Sequence, residues 1–154
     1  MSTHLPRVVL ATALSLPLFL SVSLFSAPVQ AQTAERYADR ARVVTNAKRA
    51  DHGLVRLDRG RCVQRFAARQ AERMARQQRI FHQDLDVVLR RCDLSAVAEN
   101  VAYGYDSGRA VVRAWMRSPG HRQNILNPRY RALGVAARRG PDGELYSAQV
   151  FGRH

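Results

Sequence analysis

Apolar side chains recur at helical spacing from the first charged stretch of the chain. Over residues 34–53, Tyr37, Ala41, Val44 and Ala47 share one helix face, and Gly53 stands where such a helix stops. Leu54 and Leu57 of the link GLVRL point inward. Residues 61–85 carry the strongest helical pattern: Phe66, Ala67, Gln70, Ala71 and Met74 fall at i, i+1, i+4, i+5 and i+8, Cys62 joins them one turn earlier, and the pattern fades at Ile80 and Phe81, just before His82. AENVAYG (98–104) is mixed in character and reads as a loop beside a strand. Asp106 and Ser107 can cap a further helix that puts Val111, Val112, Trp115 and Met116 on one side. Pro119 and Gly120 then read as a type II turn that aims His121. Beyond residue 131 the period changes to two: Leu133, Val135 and Ala137 alternate with Ala132, Gly134, Ala136 and Arg138, Pro141-Asp142-Gly143 makes a turn, and Tyr146, Ala148 and Val150 alternate again. That is a β-hairpin. Helices first and a hairpin last predict an α+β layered domain.

The N-terminal stretch stands apart. Arg7 lies in a short basic segment, an uncharged apolar run follows, and Val29 to Ala31 place small or aliphatic residues where a signal peptidase cuts. Residues 1–31 are therefore expected to be a signal peptide and residues 32–154 a single exported domain, secreted or periplasmic. The alternative is an uncleaved anchor, since the run is long enough to span a membrane. Arg7 is the one Arg, Lys, Asp or Glu before position 32, so the remainder carries 24 basic side chains against 12 acidic ones, a net charge of +12. Lys48 is the sole lysine; the rest of that charge is arginine, which forks onto carboxylate and phosphate. Such a surface attracts anionic polymers, lipid headgroups or nucleic acid. Export makes nucleic acid an unexpected partner and an anionic envelope component or lipid the expected one; a GC-rich genome would also inflate arginine. Arg61, Arg65, Arg69 and Arg73 stack at i, i+4 spacing, an anion-contacting stripe or a solvated face. Cys62 and Cys92, an even pair in an exported chain, predict one disulfide in a monomer, against the alternative of two buried thiols. His52, beside Asp51 at a helix end, reads as a cap, and the terminal His154 is expected to be disordered.

Several segments match a known family in its own order. VVTNAKRADHGLVRL resembles an opening helix with its asparagine, arginine and Gly-Leu; FAARQAERMA with IFH resembles a second helix ending on a histidine; AENVAYG is similar to a Gly-Glu-Asn-Ile/Leu motif; VVRAWMRSPGHRQNILNPRYRALGVAA resembles the bacterial signature almost residue for residue; YSAQVFG resembles a closing strand. The chain thus resembles the CAP superfamily of cysteine-rich secretory, venom-antigen and pathogenesis-related proteins, in its short secreted bacterial branch, over residues 37–152.

The resemblance implies a three-layer α-β-α sandwich and a cleft of two histidines and two glutamates that holds a divalent cation in several members. Carried over by position, these are His82, Glu99 and His121, with Ser118 near the place of the second glutamate. Asn100 and Asn124 are expected to support the cleft. His82, Glu99 and His121 could form a His/His/Glu set for Zn2+ or another divalent cation, held weakly and open to water. Their gaps of 17 and 22 residues match no short ligand motif. The plain alternative is a Glu–His hydrogen bond that only braces the sandwich. The resemblance leaves two function classes: a secreted module that binds a lipid, an envelope polymer or a protein through the cleft, and a metal-dependent hydrolase acting on protein or envelope polymer, with His82, Glu99 and His121 as its catalytic candidates.

Overall fold

The computed structural model describes Met1 and residues 29–154. The expected signal peptide lies outside the described residues except for Met1 and its last three, which begin helix α1 (Val29–Ala50). Ala34, Tyr37, Ala41 and Val44 bury one stripe of this helix. Ala47, expected on the same stripe, is exposed, whereas Thr45, Asn46 and Arg49 are buried. For Asn46 and Arg49 the reason is the loop that follows, whose backbone needs partners. Asn46 donates to the Leu57 carbonyl at 3.0 Å and accepts from the Leu57 N–H at 2.8 Å. Arg49 donates to the carbonyls of Val55 (2.9 Å), Ile125 (2.8 Å) and Asn127 (2.8 Å), so a buried arginine ties three segments together. Gly53, at φ +68, ends the turn after α1, and Leu57 then enters the core while Leu54 is half-buried.

After the two-residue strand β1 (Asp58–Arg59), α2 (Arg61–Gln77) buries Val63, Ala67, Gln70, Ala71 and Met74. Phe66 lies at the margin, half-buried, with the Arg69 guanidinium 5.9 Å from its ring centre. The helix stops three residues before the expected fade, because Gln78 turns left-handed at φ 50. A new helix, α3 (Leu85–Arg91), starts at Asp84, whose side chain accepts from the N–H groups of Asp86 and Val87 at 3.0 and 3.1 Å. The DLD segment is thus a cap and first turn. The expected disulfide joins Cys62, in the first turn of α2, to Cys92, which ends α3; the Cα atoms are 5.6 Å apart.

AENVAYG is not a loop: strand β2 (Ala96–Tyr103) contains most of it. Ser107 caps α4 (Gly108–Arg117) as expected, accepting from the Ala110 N–H at 3.2 Å. Nor do Pro119 and Gly120 form a type II turn. That turn needs positive φ at its third residue, and Gly120 has none. Ser118 is a one-residue break, and Pro119 opens α5 (Pro119–Ile125), where its locked φ suits a first helical residue. The hairpin is β3 (Ala132–Arg139) and β4 (Leu145–Arg153), turning on Gly143 at φ +81. His154 is placed, its Nδ1 3.0 Å from the Asp93 carbonyl.

The four strands run in the order β1-β3-β4-β2, with β1 parallel to β3 and the other pairs antiparallel; Gln149 on β4 faces both Val135 and Asn100. One core packs α1, α4 and α5 on the sheet around Trp115, Leu133 and Phe151. The other packs α2 and α3 on the opposite face around Val63, Met74, Val88 and Val150. Covered on both sides, β3 and β4 are buried almost continuously. The fold is the three-layer α-β-α sandwich.

Side chains close both margins of the sheet. At the outer side of β3, where β1 has already ended, the Gln64 amide donates to the Val135 carbonyl (2.9 Å) and accepts from the Val135 N–H (3.1 Å). At the outer side of β2, Trp115 Nε1 donates to the Val101 carbonyl (3.3 Å) and Asn124 donates to the Glu99 carbonyl (3.3 Å).

Candidate functional site

The side chains of residues 99 and 100 leave β2 on opposite faces of the sheet. Glu99 turns toward the loop between α2 and α3. Its carboxylate is fully buried and accepts from His82 Nδ1 at 2.8 Å, from the Gln83 N–H at 3.2 Å and from the Gln83 side-chain amide. With Nδ1–H donated to Glu99, Nε2 is the remaining functional atom of an imidazole that is 58% exposed. The loop is held from beneath by Gln70, the polar residue in the apolar face of α2, which donates its amide to the Phe81 carbonyl. Arg73 accompanies it, donating to Gln70 Oε1 at 2.5 Å, and the guanidinium groups of Arg73 and Arg79 lie 5.4 and 5.0 Å from the centre of the Phe81 ring.

Asn100 turns to the other face. It donates to the His121 carbonyl at 3.2 Å and to Gln149 at 3.0 Å, and accepts from Asn124 at 2.9 Å; Gln149 donates on to Thr45 at 2.7 Å. This buried chain of amides runs from α5 through β2 and β4 to α1 and fixes where α5 starts. His121, the third residue of α5, is close enough to His82 to be affected by its charge. Burial, and then that positive charge, lower the His121 pKa below the ordinary histidine value, so its ring is neutral at neutral pH.

A cleft of about 280 Å³ follows the outer margin of β2. Ile80, Val101, Ala102, Tyr103, Tyr105, Ala114 and Trp115 give it an apolar and aromatic wall, and Ser118 and His121 give it a polar end. Ser118 makes no capping hydrogen bond with its side chain. The structure therefore joins His82 directly to Glu99, sets His121 within electrostatic reach of His82, and puts Ser118 beside His121 in the cleft wall. Glu99 braces His82 from behind. Among the described residues, no three His, Cys, Asp or Glu side chains are grouped as a metal site. Ser118 and His121 line the cleft and His82 does not; a cation there would be held by the two imidazoles, with the Ser118 hydroxyl beside His121 and water completing its shell.

His52 lies elsewhere, at the end of α1. Its Nδ1 meets the Lys48 carbonyl at 2.8 Å and its Nε2 lies 3.3 Å from the Arg122 guanidinium, which fits the expected cap. Gln70, Gln83 and Arg49 are positioning residues that the sequence reading did not assign. A lone glutamine in an apolar helix face was the available signal for Gln70, and adjacency to His82 for Gln83.

The model of the cysteine-rich secretory protein family, CAP, matches residues 43–151. The chain belongs to this family. This CAP protein is 29% identical over 124 residues to YkwD of Bacillus subtilis strain 168, a match that covers 76% of this chain and 48% of YkwD. It is 31% identical over 117 residues to the membrane protein YlbC of the same strain, covering 71% of this chain and 33% of YlbC. The chain thus spans half or less of the curated relatives it matches. Among solved structures, an extracellular SCP-domain protein of Bacillus anthracis superposes with a TM-score of 0.71 at 25% identity, over 84% of this chain and 45% of that one. An outer surface protein of Borrelia burgdorferi shares the fold with a TM-score of 0.67 at 18% identity, over 73% of this chain and 89% of that one. Among the described residues of this CAP protein, no helix is long and apolar enough to cross a membrane.

Proposed function

We propose that this CAP protein is an exported, monomeric binding module whose cleft along β2 takes an amphipathic or lipid-like ligand. The carrying observation is the cleft wall: Trp115, Tyr103, Tyr105 and Ile80 offer apolar contact, and Ser118 and His121 offer a polar anchor at one end. Export is supported by the leader-like N-terminal sequence and by the extracellular and outer-surface character of the structural relatives. The net charge of +12 beyond the leader favours an anionic envelope component as the setting in which the module works.

His82 and His121 would hold a divalent cation such as Zn2+ weakly, with Glu99 orienting His82 through its Nδ1–H. Titration with an environment-sensitive fatty-acid probe tests the cleft: Ala114→Trp fills it and is expected to abolish binding without lowering the melting temperature. Retained binding would refute the cleft reading. Zinc calorimetry tests the cation: Ser118→Glu, which adds a carboxylate beside His121, is expected to bind more tightly than the native protein.

A second reading rests on the His82–Glu99 pair at 2.8 Å, since a carboxylate-oriented imidazole is the usual partner arrangement of a catalytic metal ligand. It makes the same cleft a metal-dependent hydrolase site. Chelator-sensitive turnover of casein or peptidoglycan, lost in both His82→Ala and His121→Ala, would establish that reading over the binding module.

A further inference from the structure

A groove of about 510 Å³ lies beside the disulfide, between α2 and α3. Cys62, Phe66 and Val87 provide its apolar surface, and Arg65, Arg69 and Arg91 provide its charge; no carboxylate lines it. The single carboxylate of α2, Glu72, is paired with Arg76 at 3.0 Å. Asp84 and Asp86 sit at the opposite end of α3 from Arg91, and Asp84 is engaged in capping. Among the described residues, none of the three groove arginines is within ion-pair distance of a carboxylate.

We infer that this groove binds one strand of a phosphodiester-linked polymer, with a phosphate at each arginine. Guanidinium forks match phosphate oxygens. Arg65 and Arg69 follow each other along one helix at about 6 Å, so they suit a ligand whose anions repeat, and Arg91 meets it from the neighbouring helix. The Cys62–Cys92 bond ties the two helices at this point, which holds the arginines in place before the ligand arrives. The concavity favours a strand over a bilayer. The exposed large apolar side chains of the described domain, Val43, Val55, Ile80 and Tyr103, all lie outside the groove lining, so the groove has no exposed apolar anchor to insert into lipid. The inference is independent of the cleft reading.

The test uses poly(glycerol phosphate) and calorimetry on the oxidised protein. Arg65→Glu, Arg69→Glu and Arg91→Glu together are expected to weaken binding by about tenfold or more, and the native log-affinity against log-salt slope of about −2, for three contacts, should shrink toward zero. The control is Arg109→Glu, Arg113→Glu and Arg117→Glu on α4, three exposed arginines at the i, i+4 spacing of Arg65 and Arg69 that line none of the clefts described above. It changes net charge equally and should leave affinity within about threefold. Equal loss in both variants would mean net charge alone is read and would overturn the inference. So would absence of polymer binding by the native protein, or capture of phosphatidylglycerol vesicles in its place. The same three groove positions changed to Gln provide the comparison if the Glu variant does not fold.

Discussion

His121 is the residue whose environment has the clearest measurable consequence. Its pKa is lowered in the folded protein, first by burial and then by the charge of His82. As pH falls below the ordinary histidine value of about 6.5, the unfolded chain takes up this proton before the folded one does. The stabilising contribution is therefore complete above that value and is lost as pH falls from it toward the lower folded value. Melting curves between pH 7.5 and pH 5 should show a steeper acid loss in the native protein than in His121→Gln; parallel curves would mean that the ring is not desolvated. His82, Glu99 and His121 were legible because each sits inside a short recognisable segment. The roles of Arg49, Gln70 and Gln83 were not. Arg49 bonds to carbonyls up to 78 residues away, and Gln70 holds the His82 loop through a backbone carbonyl, so neither of these partners has any sequence pattern.

Elements with a clean period were read correctly, and short ones were not. The central helices and the hairpin announce themselves over several turns or alternations. α3 has seven residues and begins on a cap, and β2 has apolar partners on both faces and so lacks strict alternation. The interior face of α1 was misjudged because two polar side chains on it, Asn46 and Arg49, serve a loop, and a third, Thr45, accepts from Gln149 on β4. Contact between elements depends on positions without a side chain. A Cβ at Gly108 would stand 2.2 Å from the Tyr37 carbonyl oxygen and 2.4 Å from the Ala41 nitrogen, so α4 crosses α1 through that glycine. Gly108→Ala should force the two helices apart at about 1–3 kcal/mol, the usual penalty for overpacking. Thermal unfolding should register a drop of several degrees, and it should be accompanied by loss of near-ultraviolet signal from Trp115 on the same helix. An unchanged melt would mean that the crossing has slack.

At the scale of the molecule, the resemblance anticipated the sandwich, because its motifs come from every layer. It said nothing of how the helices within a layer are fastened. The Cys62–Cys92 bond closes a loop of 30 residues between α2 and α3, and removing it should cost roughly 3–4 kcal/mol on the chain-entropy account. Cys62→Ser with Cys92→Ser should lower the melting temperature by more than about 10 °C, measured beside the native protein with and without reductant; reductant should reproduce the variant. A different fastening acts on other molecules. Gln64 supplies to Val135 the two bonds that a neighbouring strand would make. Its amide occupies the position from which a foreign chain could extend the sheet. Gln64→Leu keeps the bulk and removes the bonds, leaving an N–H and a carbonyl facing outward on a buried, aliphatic strand. Light scattering over days at moderate concentration should then rise for the variant and stay flat for the native protein. One glutamine would thus separate a chain that keeps to itself from one that templates its own association.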